Sequence, residues 1–321
     1  MKTVFVYTVL LIVLWGSPKL LRGQACCTAG TPLMSSLDVT ATPPGIWRTS
    51  LTYHYNFLND VVSGSQKIEG IRQRLSQSLL ADISYGLNRR LSFTALLSFI
   101  QQTRSLNRPN SAQSLEKVAT RGVGDMLFLV KYNLIPLDIF SQTQVSVGLG
   151  IKAPTGASTL KIGQILLPAD MQPGTGSWDA VLWAYYFKGF LPFSKWNYFS
   201  NLTYRLNGNN DRYQLSDVNS GYRFGNELLA TIGTSVSTDS LLSLSLIVRY
   251  RNTQADHLAE SVVPNTGGHW VYVQPGVNVN FKTVSLRLSG SIPVYRQLTD
   301  TQLTTSYTLS FGLFYSRPIK P

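Results

Sequence analysis

Long stretches of alternating apolar and polar side chains dominate this chain from residue 46 onward. In the clearest stretch, residues 144–153, every odd-numbered side chain is apolar. A period of two places successive side chains on opposite faces of a β-strand, whereas a helix would repeat every 3.6 residues. The pattern therefore predicts an all-β fold whose strands each have one apolar and one polar face.

Twelve such runs can be counted, and most are longer than the roughly 5–6 residues usual in soluble strands. The runs cover 46–58, 75–87, 90–103, 122–134, 139–153, 177–190, 194–206, 220–237, 240–252, 268–281, 283–295 and 302–317. Their length suits tilted strands that cross a bilayer, which need about 9–11 residues. An even number also returns both termini to the same side. We therefore expect a transmembrane, antiparallel, up-and-down β-barrel of about 12 strands within 46–321.

The connections between the runs alternate between long and short, as they do in outer-membrane barrels. The short ones are Asn88-Arg89, 135–138, 191–193, Thr238-Asp239 and Lys282, and the long polar ones are 59–74, 104–121, 154–176, 207–219 and 253–267. Short turns face the periplasm in such barrels and long loops face outward. This alternation predicts a location in the outer membrane, where lipid is the surrounding partner.

Aromatic side chains cluster at both ends of the predicted strands, which is typical of barrel girdles. The set predicted to face lipid near the long loops is Tyr204, Tyr222, Tyr250 and Trp270. The set near the short turns is Trp47, Tyr132, Trp196, Phe281 and Tyr315. Two girdles with aliphatic residues between them favour a membrane barrel over a soluble sandwich.

Composition narrows the class of protein further. Charged residues make up only 14% of the 321 residues, and the mean hydropathy of +0.02 is too low for a polytopic helical membrane protein. The net charge is +12, yet no run of five basic residues occurs, so nucleic acid is not an expected partner. No cofactor-binding motif is found, and no cofactor is expected.

The N-terminus has the features of a secretory signal. Lys2 precedes an apolar run, and Gly23-Gln24-Ala25 gives the small-x-small pattern before a cleavage point. We expect a signal peptide at 1–25, a periplasmic arm at 26–45 and the barrel at 46–321. The adjacent Cys26 and Cys27 follow the cleavage point, where lipid attachment and metal binding are both open alternatives.

Three glycine-rich motifs suggest a family. Gly122-Val123-Gly124-Asp125 heads the fourth strand, Lys152-Ala153-Pro154-Thr155-Gly156 ends the fifth, and Gly174-Thr175-Gly176-Ser177-Trp178-Asp179 opens the sixth. This pattern resembles the outer-membrane barrel proteins named for the meta-pathway of phenol degradation, also called transporters. The resemblance covers about 120–190 and implies a barrel that transports small molecules, including apolar or aromatic solutes.

Charged side chains on the polar faces are candidates to line the lumen. They are Arg48, His54, Asp82, Asp125, Lys131, Lys152, Asp179, Arg205, Arg223, Glu227, Arg249, Arg251 and Arg287. Basic residues outnumber acidic ones in this set, which predicts a weak anion preference if the lumen is open. Cross-strand salt bridges that plug a narrow lumen are the alternative.

The third long loop, 154–176, is expected to fold over or into the barrel mouth. It carries six large apolar side chains: Leu160, Ile162, Ile165, Leu166, Leu167 and Met171. Apolar groups of this kind are costly to leave in water and often mark binding sites. They either pack against the rim or form an apolar uptake site for a solute.

The function predicted from these features is an outer-membrane channel or transporter for small molecules. The main alternative is a barrel hydrolase that uses His257 and His269 in the fifth loop, beside Asp256, Glu260 and Ser261. A structural barrel without conduction is the third class. Catalysis and metal binding are not expected, and the alternation specifies neither the solute nor the number of subunits.

Overall fold

The computed structural model describes Leu37 and residues 40–106, 117–138, 140–190, 195–213, 221–238 and 241–318. The predicted signal peptide and most of the predicted arm, including both cysteines, lie outside these residues. Within the described residues, no helix is long and apolar enough to span a bilayer.

Twelve long strands form the wall of the molecule, and we number only these strands. They are β1 (Ile46–Ser63), β2 (Arg72–Gly86), β3 (Leu91–Leu106), β4 (Met126–Ile135), β5 (Thr143–Ala153), β6 (Asp179–Gly189), β7 (Trp196–Leu206), β8 (Glu227–Ser237), β9 (Leu242–Thr253), β10 (Gly268–Asn280), β11 (Val284–Leu298) and β12 (Thr301–Pro318). Each strand pairs antiparallel with the next along the chain.

The sheet closes on itself because β12 also pairs with β1. This seam runs antiparallel from Ile46 opposite Pro318 to Ser63 opposite Thr301, with a bulge near Leu58. Closure leaves no unpaired edge strand, which is the condition for a sheet to lie in hydrocarbon. The predicted all-β, antiparallel, 12-stranded barrel is confirmed.

The outer face of every wall strand exposes large apolar side chains. One such residue from each strand, in order, is Leu51, Leu79, Phe99, Val130, Leu149, Leu182, Leu202, Ile232, Leu246, Val277, Leu288 and Phe311. An apolar belt that surrounds the whole molecule is unfavourable in water and favourable in a bilayer. The inner faces carry the polar and buried residues, as the period-two pattern predicts.

The aromatic girdle at the short-turn end is present, whereas the prediction for the other end is wrong for two residues. Trp47, Trp196 and Phe281 are exposed on the outer face. Trp270 is instead buried inside the barrel at 1% exposure, where Arg251 lies 5.0 Å over its ring. Tyr222 is also buried, in a short strand outside the wall.

Several strand ends differ from the sequence prediction. The longest extensions lie at the long-loop end, whereas at the short-turn end β5 begins at Thr143 rather than at residue 139. β1 extends to Ser63 and pairs there with Gln66–Ile68, so much of the predicted loop 59–74 is strand. β3 extends to Leu106 and pairs with a separate strand, Lys117–Val123. Polar side chains dominate these ends because they rise above the apolar belt. The apolar periodicity therefore fades before the backbone pairing ends.

Two predicted strands are interrupted. The predicted strand 122–134 pauses at Gly124-Asp125 before β4 begins. The predicted strand 220–237 divides into Tyr222–Arg223 and β8, and the first piece joins a three-stranded external sheet with His257–Leu258 and Ser261–Val262. Arg223 is thus exposed outside the wall, which corrects its expected place on the lumen.

The register predicts a strong asymmetry between neighbouring positions of β9. Leu246 is exposed on the apolar outer face, whereas Ser245 is half-buried on the inner face. Leu246→Arg should cost about 2–4 kcal/mol of folding free energy near the bilayer midplane, and Ser245→Arg should cost much less. Reversible unfolding by urea in lipid vesicles measures both costs. Equal costs at the two positions would contradict the register.

Candidate functional site

The interior of the barrel is apolar on one side. Inward side chains of β2 to β8 form one buried cluster: Leu80, Leu96, Leu127, Leu129, Val181, Trp183, Tyr185 and Leu229. The side chain of Leu37 packs into this cluster, and the Trp183 Nε1 donates a hydrogen bond to the Leu37 carbonyl at 3.0 Å. A segment that precedes the first strand therefore lies inside the barrel.

Residues 40–45, just before β1, follow the inner wall toward the short-turn end. The Thr40 hydroxyl donates to Gln144 Oε1 at 2.6 Å, and the Arg48 guanidinium donates to the Thr40 carbonyl. The Gly45 amide donates to the Gly86 carbonyl at 2.8 Å. These contacts hold the segment against three different wall strands and fill part of the lumen.

The opposite side of the interior, on β9 to β12 and β1, is polar and only half-buried. His54 Nδ1 lies 2.7 Å from Ser310 Oγ, and the Arg287 Nε donates to Asn278 Oδ1 at 2.7 Å. Arg249 is also half-buried on this side. Partial exposure of inward polar groups indicates that solvent reaches this half of the lumen.

The third loop, 154–176, folds into the external mouth of the barrel. A short exposed hairpin pairs Lys161–Ile162 with Ile165–Leu166, and a single 3-10 turn follows at Ala169–Met171. From residue 167 the chain descends into the barrel, and Met171 is 0% exposed. The loop therefore folds into the mouth, as we expected from its apolar content.

The six apolar residues of this loop are divided between two environments. Leu167 and Met171 are buried inside the mouth, whereas Ile162 and Ile165 are exposed on the hairpin. Leu160 and Leu166 are half-buried, and Leu166 packs against the aromatic cluster described below. The six residues thus do not form a single apolar surface.

The three glycine-rich motifs meet at one buried ion cluster below this loop. The Lys152 ammonium lies 2.7 Å from Asp125 Oδ2 and 3.0 Å from Asp179 Oδ2, and all three side chains are at most 1% exposed. The Lys152 ammonium also donates to the Ser177 carbonyl at 2.9 Å. Lys152 and Asp179 are direct cross-strand partners on β5 and β6.

Asp125 ties both ends of the third loop to this cluster. Its carboxylate accepts hydrogen bonds from the Gly156 amide at 3.0 Å and from the Thr175 amide and hydroxyl, each at 2.8 Å. Gly156 lies at the start of the loop and Thr175 at its end. Charge-assisted bonds of this kind are about twice as strong as neutral ones, so the base of the loop is firmly anchored.

The glycines of the motifs allow this close approach of backbones. A Cβ on Gly156 would lie 2.8 Å from the Gly124 carbonyl carbon and from Gly174 Cα, and a Cβ on Gly174 would lie 2.7 Å from Asp125 Oδ1. No side chain larger than hydrogen fits at these distances. The glycines therefore let the backbone segments approach closely enough to form the ion cluster. They do not form a phosphate-binding loop.

The inner end of the loop is held on the far side of the mouth by a second set of ion pairs. Asp170 Oδ2 lies 2.8 Å from Arg74 Nη1 of β2 and 2.7 Å from Arg104 Nη2 of β3. In addition, the Thr120 hydroxyl donates to the Met171 carbonyl at 2.7 Å. The loop thus crosses the mouth and contacts the wall at both ends.

A third buried charge cluster lies on β7, β8 and β9. Glu227 is 0% exposed, and its two carboxylate oxygens lie 2.8 Å from Arg205 Nη2 and 2.6 Å from Arg251 Nε. The Trp270 Nε1 donates to the Thr304 hydroxyl at 3.0 Å. Together with Trp270 and Tyr272, these charges form a buried layer at the external end of β7 to β10.

Above the mouth, the fourth and fifth loops join the third around buried aromatic rings. Tyr213, Tyr222, Phe224 and Val263 form this cluster with Ala169, and the Tyr222 hydroxyl donates to Asp256 Oδ2 at 2.6 Å. Burial raises the pKa of the Asp256 carboxyl to about 6, although the Tyr222 hydroxyl and Gly225 amide oppose the shift. The described parts of the three loops therefore pack against one another above the mouth.

Most of the charged residues predicted for the lumen lie on inward faces, in separate groups. Asp125, Lys152 and Asp179 come together, as do Arg205, Glu227 and Arg251. Asp82 accepts from the Ser50 hydroxyl, and the Lys131 ammonium lies 4.5 Å over the Trp183 ring. The remaining inward residues are Arg48, His54, Arg249 and Arg287.

Arg74, Arg104 and Asp170 were missing from the sequence prediction. Arg74 and Arg104 lie at strand ends that were assigned to loops, where no alternation indicates which side chains point inward. Asp170 lies between the apolar residues of the third loop, and its position among them gives no sign of an ion pair.

Comparison with known proteins assigns the chain to a family. Residues 56–311 match the family described as "Putative MetA-pathway of phenol degradation". The chain belongs to this family. The match spans ten complete wall strands, β2 to β11, together with parts of β1 and β12, and so extends well beyond the three motifs.

Solved structures share the barrel. The COG4313 outer membrane channel from Pseudomonas putida F1 has a TM-score of 0.68 at 14% identity, covering 88% of this chain and 98% of that one. The translocator domain of NalP from Neisseria meningitidis covers 88% and 92% at 12% identity with a TM-score of 0.44. The Pseudomonas putida toluene transporter TodX covers 92% and 96% at 11% identity with a TM-score of 0.44. No curated protein matches the sequence.

The likeness to the COG4313 channel supports the same fold for this chain. Membership of the family, the barrel closure and the apolar belt identify the chain as an outer-membrane β-barrel.

Proposed function

We propose that this family member is a channel for small molecules across the outer membrane, with solutes that include apolar or aromatic compounds. The observation that carries the proposal is the third loop, which closes the mouth through buried ion pairs at both ends. A barrel without conduction needs no separate closure of its mouth. Behind the closure, one half of the lumen is apolar and the other is reached by solvent.

The two anchors of the loop differ in ways that suit a gate. The base is held by the Asp125–Lys152–Asp179 cluster, which is almost completely buried. The far end is held through Asp170, and one of its partners, Arg104, has a 20% exposed side chain. The far anchor can exchange with solvent more readily, so we expect the loop to open by releasing Asp170 and pivoting on its base.

Asp170→Asn tests the proposal. The substitution removes the negative charge shared by Arg74 and Arg104, and a hydrogen bond to a charged group is worth roughly 1.5–3 kcal/mol. We expect the open population to rise about tenfold or more, since about 1.4 kcal/mol corresponds to a factor of ten. Swelling of proteoliposomes in arabinose, a small neutral solute, measures the permeability.

Asp300→Asn is the matched control, because Asp300 lies in the exposed two-residue turn between β11 and β12. It has a positive φ of 58°, which asparagine tolerates well. We expect its permeability to equal that of the wild type. Swelling of Asp170→Asn vesicles no faster than that of protein-free vesicles would contradict a channel and favour a structural barrel.

The contacts of the fifth loop support a channel over a hydrolase. Asp256 accepts hydrogen bonds from the Tyr222 hydroxyl and the Gly225 amide. His269 Nδ1 lies 2.6 Å from the Tyr250 hydroxyl at the outer face, while His257 lies in the external sheet opposite Val262. The predicted acid–base residues are thus distributed over different surfaces. We propose no catalytic role, and we propose lipid and a small solute as the partners.

A further inference from the structure

Two arginines are direct cross-strand neighbours at the external mouth. Arg74 of β2 lies opposite Arg104 of β3, and their side chains are 0% and 20% exposed. Like charges directly opposite one another on a sheet repel, and burial removes the water that would otherwise screen them. The wall itself therefore contains a site that needs an anion.

In the closed mouth, the protein supplies that anion from the third loop. One carboxylate oxygen of Asp170 accepts from Arg74 Nη1 at 2.8 Å and from Arg104 Nη2 at 2.7 Å. Two guanidinium groups that converge on one oxygen can hold any carboxylate of similar size. The thioether of Met171 lies 4.0 Å from Arg74 Nη1, so an apolar group of the loop occupies the space beside the site until the loop is displaced.

We propose that Arg74 and Arg104 form a binding site for solute carboxylates, and that a small carboxylate with an apolar body opens the mouth by replacing Asp170. The inference rests on the proposed channel function and names the class of solute that the channel favours. A ligand that binds only when the loop is displaced shifts the population toward the open state. If the loop opens without such an anion, Arg74 and Arg104 lose Asp170 as a counter-ion, which makes opening unfavourable.

The charges farther along the lumen are compatible with an anionic solute. Arg249 and Arg287 lie on the half-buried polar side, and the Arg287 guanidinium stacks over the Phe314 ring at 4.9 Å. Basic side chains along a lumen favour anions. A carboxylate released from the mouth would therefore meet further positive charge, and its apolar body could contact the leucine-rich side.

Binding of benzoate and of its neutral isostere benzamide distinguishes charge from shape. Calorimetric titration of the full-length barrel in detergent gives the affinities for benzoate and benzamide. Three proteins are compared: the wild type, Asp170→Asn, and a double variant that combines Asp170→Asn with Arg104→Gln. We expect benzoate to bind Asp170→Asn about tenfold or more tightly than the wild type, because the competing carboxylate is gone. Benzamide should show no such gain, and the double variant should lose the gain.

Heat-dependent migration on gels verifies that each variant is folded. If the double variant does not fold, Arg104→Lys with Asp170→Asn retains the charge and should bind benzoate more weakly than Asp170→Asn alone. Equal affinities of Asp170→Asn for benzoate and benzamide would overturn the inference. If arabinose passes through the barrel but benzoate binds no more tightly than benzamide, this inference alone is refuted. If benzoate binds but no variant conducts arabinose, the proposed channel is refuted.

Discussion

Lys152→Met is expected to destabilise the barrel by about 3–5 kcal/mol, the usual cost of removing one partner from a buried ion pair. Asp125 and Asp179 would then face each other as two buried carboxylates without the ammonium that lies 2.7 and 3.0 Å from them. The hydrogen bond to the Ser177 carbonyl is also lost. Urea unfolding in lipid vesicles measures the free energy.

Lys161→Met is the control for this variant, because Lys161 is exposed on the hairpin of the third loop. The change should alter stability by less than about 0.5 kcal/mol, as is usual for exposed positions. A similarly small effect of Lys152→Met would mean that the ion cluster does not hold the base of the loop.

Glu227→Gln is expected to have an effect of similar size, about 3–5 kcal/mol. Glutamine keeps the shape of the side chain but leaves Arg205 and Arg251, which are 1% and 5% exposed, without a counter-charge. The loss should loosen the external end of β7, β8 and β9, where the two arginines flank the carboxylate. Hydrogen exchange of these strand ends, together with urea unfolding, measures the change.

Glu260→Gln removes an acidic group of the same type from an exposed position in the fifth loop, and we expect it to leave stability unchanged. If Glu227→Gln behaves like Glu260→Gln, the two arginines have another counter-ion and the account of this cluster is wrong.

The barrel was predictable because every residue of the wall must face either lipid or the barrel interior. Lipid outside and polar groups inside impose a period of two, as in β5, where Val145, Val147 and Leu149 face outward. The resemblance carried by the glycine motifs was also confirmed by the family match. Their charged residues were predicted to line the lumen, with cross-strand salt bridges as the alternative, and they lie in one buried ion cluster.

What the sequence did not reveal depends on contacts between distant segments. Alternation distinguishes the two faces of β10, but Trp270 was assigned to the lipid face because aromatic residues at strand ends usually form girdles. The structure places it inside, where Thr304 and Arg251 provide polar partners. The alternation already indicated the inner face, because Trp270 shares a face with Tyr272 and lies opposite the face of Val271 and Val273.

The ion pairs of the proposed gate likewise required three-dimensional information. Asp170 pairs with Arg74 and Arg104 over sequence separations of 96 and 66 residues. The two arginines lie at polar strand ends above the lipid belt, so no periodic signal marks them. The segment around Leu37 was expected to be periplasmic, and nothing in its composition indicates that it packs against Trp183.

The most direct test of the central claim is the accessibility of residue 171 from outside. In a protein with Cys26 and Cys27 replaced by serine, Met171→Cys is treated with a membrane-impermeant maleimide, and Ile165→Cys serves as the exposed reference. We predict slow labelling at 171, since Met171 is 0% exposed and Ile165 is 75% exposed, and about tenfold faster labelling when Asp170→Asn is added. If residue 171 is labelled as fast as residue 165 in the protein with Asp170, the third loop does not close the mouth. If Asp170→Asn does not change the labelling rate at 171, the ion pairs of Asp170 do not hold the loop in place.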